Sequence, residues 1–334
     1  MARSGWKESG TVTFRWLAKI LPLAGAAVVL AQEPTIRVNV SLVHVIATVK
    51  TKAGELVASL EKDDFEVYDN GVKQEVARFG RQTEQPLSVA LLVDTSGSTA
   101  KDLGYETTSA AKFLQALLAE GNPQDRVALF SFNYDIQQGG FTRNYAGLER
   151  QLKLLHGETG TSLYDAIYYA SQALENREGR KAIVVMTDGG DTTSTRDLKI
   201  ALKAAQMADA VIYAVVVLPI TNNAGRNTGG EHALEFMAQG TGGRTYYPGV
   251  NAQLDRAFAD IIRELRTQYV LEFYPRGAPL TKNPFHTLEV RTKSPDLRVS
   301  ARNGYYGEAE GGGSGPSAPI SVTPERTTKK RQEN

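Results

Sequence analysis

Hydrophobic and polar positions fall into three successive regimes along the chain. From residue 34 to 84 apolar residues alternate with polar ones, the period-two signature of half-buried strands. Val38, Val40 and Leu42 keep one phase, whereas Val43, Val45 and Val49 keep the other. A one-residue shift moves side chains to opposite faces, so a bulge or two strands is expected there. Residues 65–68 and 72–76 flank Asp69, Asn70 and Gly71. Asn-Gly accepts positive φ at both central turn positions, which predicts a tight hairpin.

From Leu87 the pattern changes. Residues 88–93, 127–130, 181–186 and 210–217 are near-continuous apolar runs, as expected of strands covered on both faces. Between them apolar residues recur at helical spacing: Ala110, Phe113, Leu114, Leu117 and Leu118, then Leu163, Ala166, Ile167, Ala170 and Leu174. Leu152 and Leu155 mark a short helix, and further helices are expected near 195–208, 231–239 and 251–267. Apolar strands alternating with amphipathic helices predict an α/β fold, a doubly wound, mostly parallel sheet with helices on both faces.

After Gln268 short strand-like runs return at 269–274, 286–290 and 297–300, interrupted by Pro275, Pro284 and Pro295. Neither flank alone holds enough strands for a comfortable sandwich. Residues 34–84 and 268–306 are therefore expected to form one β-rich, sandwich-like domain, with residues 87–267 inserted between its parts. Residues 308–334, with a Gly- and Ser-rich start and a mixed-charge end, are expected to be a disordered tail.

The N-terminus has a different character. Arg3, Lys7 and Arg15 precede an uncharged stretch at 20–31 that ends in small residues, with Val29 and Ala31 placed for cleavage before Gln32. This is the pattern of a secretory signal peptide over residues 1–31. A membrane-spanning helix needs about twenty apolar residues, and Lys19 interrupts any longer window. An uncleaved N-terminal anchor is the alternative. The expected destination is the periplasm or the medium of a bacterium, with no membrane span in the mature chain.

Composition narrows the chemistry. Of 334 residues, 38 are Lys or Arg and 37 Asp or Glu, a net charge of +1 that makes no electrostatic case for nucleic acid. Cysteine is absent, which removes disulfides, thiolate metal sites and cysteine nucleophiles together. Three segments remain as candidates, each expected at the carboxyl edge of the sheet, where ligands bind in open α/β folds. Asp94, Ser96 and Ser98 sit at alternate positions where the first buried strand ends. Thr161 lies in a glycine-bearing loop before a helix, and Asp188 ends another buried strand ahead of Gly189 and Gly190. Two carboxylates and three hydroxyls are hard oxygen donors suited to a small hard cation such as Mg²⁺, with Mn²⁺ as a possible substitute.

These three motifs, in this order, resemble the von Willebrand factor type A domain and its metal-ion-dependent adhesion site, over about residues 87–267. The flanking residues 63–71, 269–274, 286–290 and 302–306 resemble the VWFA-related proteins of acidobacteria. The resemblance implies a non-catalytic, magnesium-dependent binding module. The hydroxyls of Ser96, Ser98 and Thr161 would approach the metal, Asp94 and Asp188 would act partly through water, and a partner's Glu or Asp would fill the last position. Thr159 is the substitute candidate for Thr161, because the glycines here are spaced differently from the family loop. Glu158 could reach the metal and compete with an outside ligand.

Rival chemistries find little support. Asp94-Thr95-Ser96-Gly97 differs by an insertion from the aspartic-protease motif and closes a strand of α/β pattern. No nucleophile elbow or phosphate-binding loop is present. Asp165 and Asp191 are the available general bases for a hydrolase. His44, His156, His232 and His286 lack metal-ligand spacing, so surface or packing roles are expected. The alternative to adhesion is a structural or assembly scaffold whose metal mainly stabilises the fold.

Overall fold

A computed structural model describes residues 42–81, 85–97, 99, 103–217, 227–249, 251–278 and 283–307. The expected leader at 1–31, the first strand phase at Val38 and Val40, and the expected tail lie outside these residues.

The N-terminal flank supplies β1 (Val43–Thr51), β2 (Phe65–Asp69), β3 (Val72–Gln74) and β4 (Val76–Arg81). Asn70 and Gly71 take φ of 47° and 80° and join β2 to β3 in the predicted hairpin. The run expected at 72–76 does not continue as one strand. It breaks at Glu75, and Val76 opens β4 in a different sheet.

The central region then alternates as predicted. Its strands are β5 (Leu87–Asp94), β6 (Arg126–Phe132), β7 (Ile136–Gln138), β8 (Arg180–Thr187), β9 (Ala210–Val216) and β10 (Arg244–Tyr246). Its helices are α1 (Leu103–Glu120), α2 (Tyr145–Lys153), α3 (Leu163–Glu175), α4 (Leu198–Met207), α5 (Thr228–Thr241) and α6 (Asn251–Leu265). The sheet order is β10-β9-β8-β5-β6-β7, parallel except for the short edge strand β7. Alternate residues of the strands feed two cores. One packs against α1, α2 and α6 and the other against α3, α4 and α5, so the sheet is covered on both faces.

The C-terminal flank supplies β11 (Tyr269–Phe273), β12 (Phe285–Thr292), β13 (Leu297–Ala301) and β14 (Gly304–Tyr306). These strands interleave with those of the N-terminal flank in two four-stranded sheets, ordered β13-β1-β11-β4 and β14-β12-β2-β3. A third core, including Val45, Val67, Tyr269, Leu271 and Phe273, lies within this β-rich region.

The β-rich region meets the α/β sheet at the amino ends of its parallel strands. Arg302 pairs with Asp209 just before β9, and Gln206 donates to Asn303 Oδ1 at 3.2 Å. Glu264 of α6 is buried between Lys50 of β1 and the Tyr246 hydroxyl. The opposite, carboxyl edge of the sheet stays clear of these contacts. There the chain leaves β5 toward β6 on one side and later returns to β8 on the other. This reversal opens a crevice between β5 and β8.

Candidate metal centre

All eight residues of β5 are buried, and the strand ends in a carboxylate within the crevice. Asp94 is fully buried yet hydrogen-bonded on both oxygens. Oδ1 accepts the Ser96 amide at 2.8 Å and Oδ2 accepts the Thr187 hydroxyl at 2.6 Å. The Ser96 hydroxyl adds a further hydrogen bond. Thr99 closes the turn, its hydroxyl donating to the carbonyls of Asp94 at 3.1 Å and Ser96 at 3.0 Å. Thr95 faces the other way, its amide held by the Phe132 carbonyl at 2.8 Å and its hydroxyl receiving the Asn133 side chain at 3.2 Å. Ser98 lies outside the described residues.

The other two motif segments are tied to this turn. A single parallel bridge pairs Ser96 with Glu158, and the Glu158 amide donates to the Thr95 carbonyl at 2.8 Å. Thr161 is buried, whereas Thr159 is exposed. The Thr161 amide donates to the Thr192 hydroxyl at 3.0 Å, and its carbonyl accepts the Thr192 amide at 2.8 Å. Residues 157–162 are thereby clamped between the turn after β5 and the loop after β8.

Asp188 opens that last loop and is half-buried, with Gly190 N at 3.3 Å from Oδ1. Gly189 has φ of 92°, a conformation that glycine adopts without strain. A side chain at Gly230, in the first turn of α5, would run into the Gly189 carbonyl. The Asp188 turn thus rests directly on α5.

Burial pushes the Asp94 carboxyl up to about 6, against the pull of the Thr187 and Ser96 hydrogen bonds, and the charge of Asp188 pushes it the same way. A buried carboxylate whose ionisation burial and the neighbouring Asp188 both oppose, beside buried Ser96 and Thr161, belongs to an all-oxygen set whose unfavourable charge a divalent cation would relieve. The residues present therefore fit Mg²⁺. No group of three or more His, Asp or Glu side chains with metal-binding geometry occurs among the described residues, and a hydroxyl-rich site does not call for one.

Thr187, Thr95 and Thr99 are supporting residues that the motif reading left without a role. Parallel pairing of Val93 with Met186 sets Asp94 beside Thr187, a consequence of register that local spacing does not contain. The two carboxylates considered as bases are engaged in loop structure. Asp165 accepts from Thr195 N and Oγ1 and from Arg196 N and Nη1, all at 2.9–3.1 Å. Burial opposes its ionisation, but these hydrogen bonds outweigh burial and hold the carboxyl below its usual range. Asp191 accepts the Tyr164 amide and the Ser194 hydroxyl. Among the histidines, His44 pairs with Glu272, His156 with Glu158 and His286 with Asp69, while His232 is exposed.

A mostly parallel sheet covered by helices on both faces, with Asp94, Ser96, Thr161 and Asp188 brought to its switch point, defines the class as a doubly wound α/β domain. The model of the von Willebrand factor type A domain matches residues 88–255, half of the chain, and the chain belongs to that family. Domains of this family are in general protein-binding modules without catalytic activity. No curated protein matches the sequence.

Among solved structures, the chain is similar to the vWF domain of the type V pili tip protein Mfa5 from Porphyromonas gingivalis. Identity there is 16%, with 54% of this chain and 94% of the other covered and a TM-score of 0.45. A von Willebrand factor type A protein from Catenulispora acidiphila gives 13% identity, coverage of 74% and 63%, and a TM-score of 0.47. The pilus adhesin SpaC from Lactobacillus rhamnosus GG gives 10% identity and a TM-score of 0.46, with 73% of this chain covered. This chain spans 47% of SpaC.

Proposed function

We propose that this protein is an exported, non-catalytic binding module that holds Mg²⁺ and through it grips a Glu or Asp carboxylate of a protein partner. The ligands would be Asp94, Ser96, Ser98, Thr161 and Asp188, with Mn²⁺ able to substitute. The observation that carries the proposal is the buried Asp94 carboxylate, held on both oxygens at the switch point and facing the charge of Asp188. Two aspartates at most neutralise a divalent ion, and the hydroxyls add no charge. The bound ion retains affinity for one more anionic oxygen, which completes the octahedral shell that Mg²⁺ requires. The burial of Thr161 and exposure of Thr159 support Thr161 as the loop ligand. Export is supported by the N-terminal signal pattern, and among the described residues no helix is long and apolar enough to cross a membrane.

The test is a calorimetric Mg²⁺ titration of the full chain beside its Asp94→Ala variant. One site is expected in the wild type and none in the variant, with the far-ultraviolet circular dichroism of the two alike. Equal Mg²⁺ binding by both would remove Asp94 from the site and overturn the proposal.

A further inference from the structure

The β-rich region keeps one sheet edge open. β4 lies at the rim of the sheet β13-β1-β11-β4, and among the described residues no strand pairs with its outer side. The far rim is covered, because Gly242, just past the end of α5, packs against the Ala301 backbone of β13. Beside β4 is a groove of about 220 Å³ lined by residues 78–81 together with Val270 and Glu272 of β11. Successive side chains of a strand point to opposite faces, so a groove that touches four in a row runs along the strand's edge. That is where the backbone N–H and C=O groups of a rim strand are available to another chain.

Register writes a pattern that stops at this edge. His44 of β1, Glu272 of β11 and Arg78 of β4 stand directly opposite one another, basic, acidic and basic in turn. Glu272 is buried, with Oε1 at 3.0 Å from His44 Nδ1 and Oε2 at 3.8 Å from Arg78 Nη1. The longer contact is outside hydrogen-bond range, and Oε2 has no hydrogen bond among the described residues. Arg78 is therefore weakly held, and its side chain is 70% exposed at the groove. Two residues along on the same face, Ile46, Val270 and Gly80 form the next rung. A Cβ on Gly80 would meet only Val270 within 4 Å, at 3.8 Å, so this rung ends in open space over an apolar floor. A glycine at a sheet edge is covered best by an aromatic side chain on the next strand, and a basic residue pairs with an acidic one directly opposite. Charge on the rim also deters strands that do not match it. We infer that β4 accepts an extended segment of a protein partner as an added antiparallel strand, with an aromatic residue opposite Gly80 and, two positions later, Asp or Glu opposite Arg78. Antiparallel pairing is the more stable ladder per residue, and it fixes the partner's order as aromatic, any residue, acidic. None of the candidate metal ligands takes part, so this surface stands independently of the Mg²⁺ reading.

The test is fluorescence anisotropy with the full chain in EDTA and a labelled, end-capped hexapeptide, Thr-Phe-Thr-Glu-Thr-Thr. Saturable binding with a Kd below about 1 mM is expected, with slower amide hydrogen exchange over residues 77–81 in the complex. Replacing the peptide's Phe by Ala should weaken binding about fivefold, and replacing its Glu by Lys about tenfold, because a like charge then faces Arg78. Arg78→Glu should reverse the preference between the Glu and Lys peptides. Gly80→Val fills the space that the ring would take and should remove the advantage of Phe over Ala. No saturable binding, unchanged exchange of β4 in the complex, or the wild-type charge preference in Arg78→Glu would each overturn the inference. Asp94→Ala should bind the peptide as the wild type does, so failure of the metal centre and failure of this edge are read separately.

Discussion

A carboxylate closed off from water at the end of β5 is costly to ionise unless positive charge reaches it. For Asp94 the cost has a sign that can be followed with pH. Its carboxyl is raised from 3.8 to about 6, so the folded chain binds more protons than the unfolded chain between those values. Metal-free stability therefore falls as pH rises through that window, by about 3 kcal/mol in all, and stays low above it. In EDTA at pH 7, Asp94→Asn is expected to raise the unfolding free energy by up to about that amount, measured by urea denaturation. The same variant should bind no Mg²⁺. A site built for a cation would thus be stabilised by the substitution that disables it. Thr187→Val keeps the side-chain volume close and deletes the hydroxyl that orients Asp94 Oδ2. Mg²⁺ affinity should drop about 10–100-fold by calorimetry, as is usual when a supporting partner of a metal ligand is lost.

At the level of elements, the loops are held by close backbone approach. A Cβ on Gly230 would lie 1.4 Å from the Gly189 carbonyl oxygen, so Gly230→Ala must push α5 away from the Asp188 turn. The expected cost is about 1–3 kcal/mol in urea denaturation, with weaker Mg²⁺ binding because Asp188 moves with its turn. The sequence foretold the elements with long, one-sided or continuous apolar patterns, such as β5, β8, α1 and α3, because burial on one or both faces writes those patterns. It gave no sign of β7 and β10. Each is three residues long at a sheet edge, and its pairing comes from the neighbouring strand. The break at Glu75 was equally hidden, since Val72 and Val76 keep one alternating phase across it, and only the tertiary arrangement sends Val76 to another sheet. Within the candidate centre, Asp94 and Asp188 were legible as strand-ending carboxylates. Their partner Thr187 was not, because its role depends on how β5 and β8 are registered.

Across the whole molecule, the β-rich region and the α/β sheet share a polar seam far from the carboxyl edge. Glu264→Ala would strand the nearly buried Lys50 ammonium, at a cost expected near 3 kcal/mol by urea denaturation. Mg²⁺ affinity should remain within about twofold of wild type, since sites without shared partners act independently. The seam is accompanied by a topological arrangement with a mechanical meaning. The α/β domain leaves the sandwich through β4 and rejoins it through β11, and these two strands are hydrogen-bonded to each other from Tyr269 opposite Arg81 onward. Its two attachment points are therefore sewn together. Tension pulling on Val43 and Tyr306 loads the ladders between β1, β11, β12 and β14 first, and the inserted domain hangs outside the line of force. A partner gripped at the carboxyl edge would be held by a domain that strain along the chain does not unfold until the sandwich itself has torn.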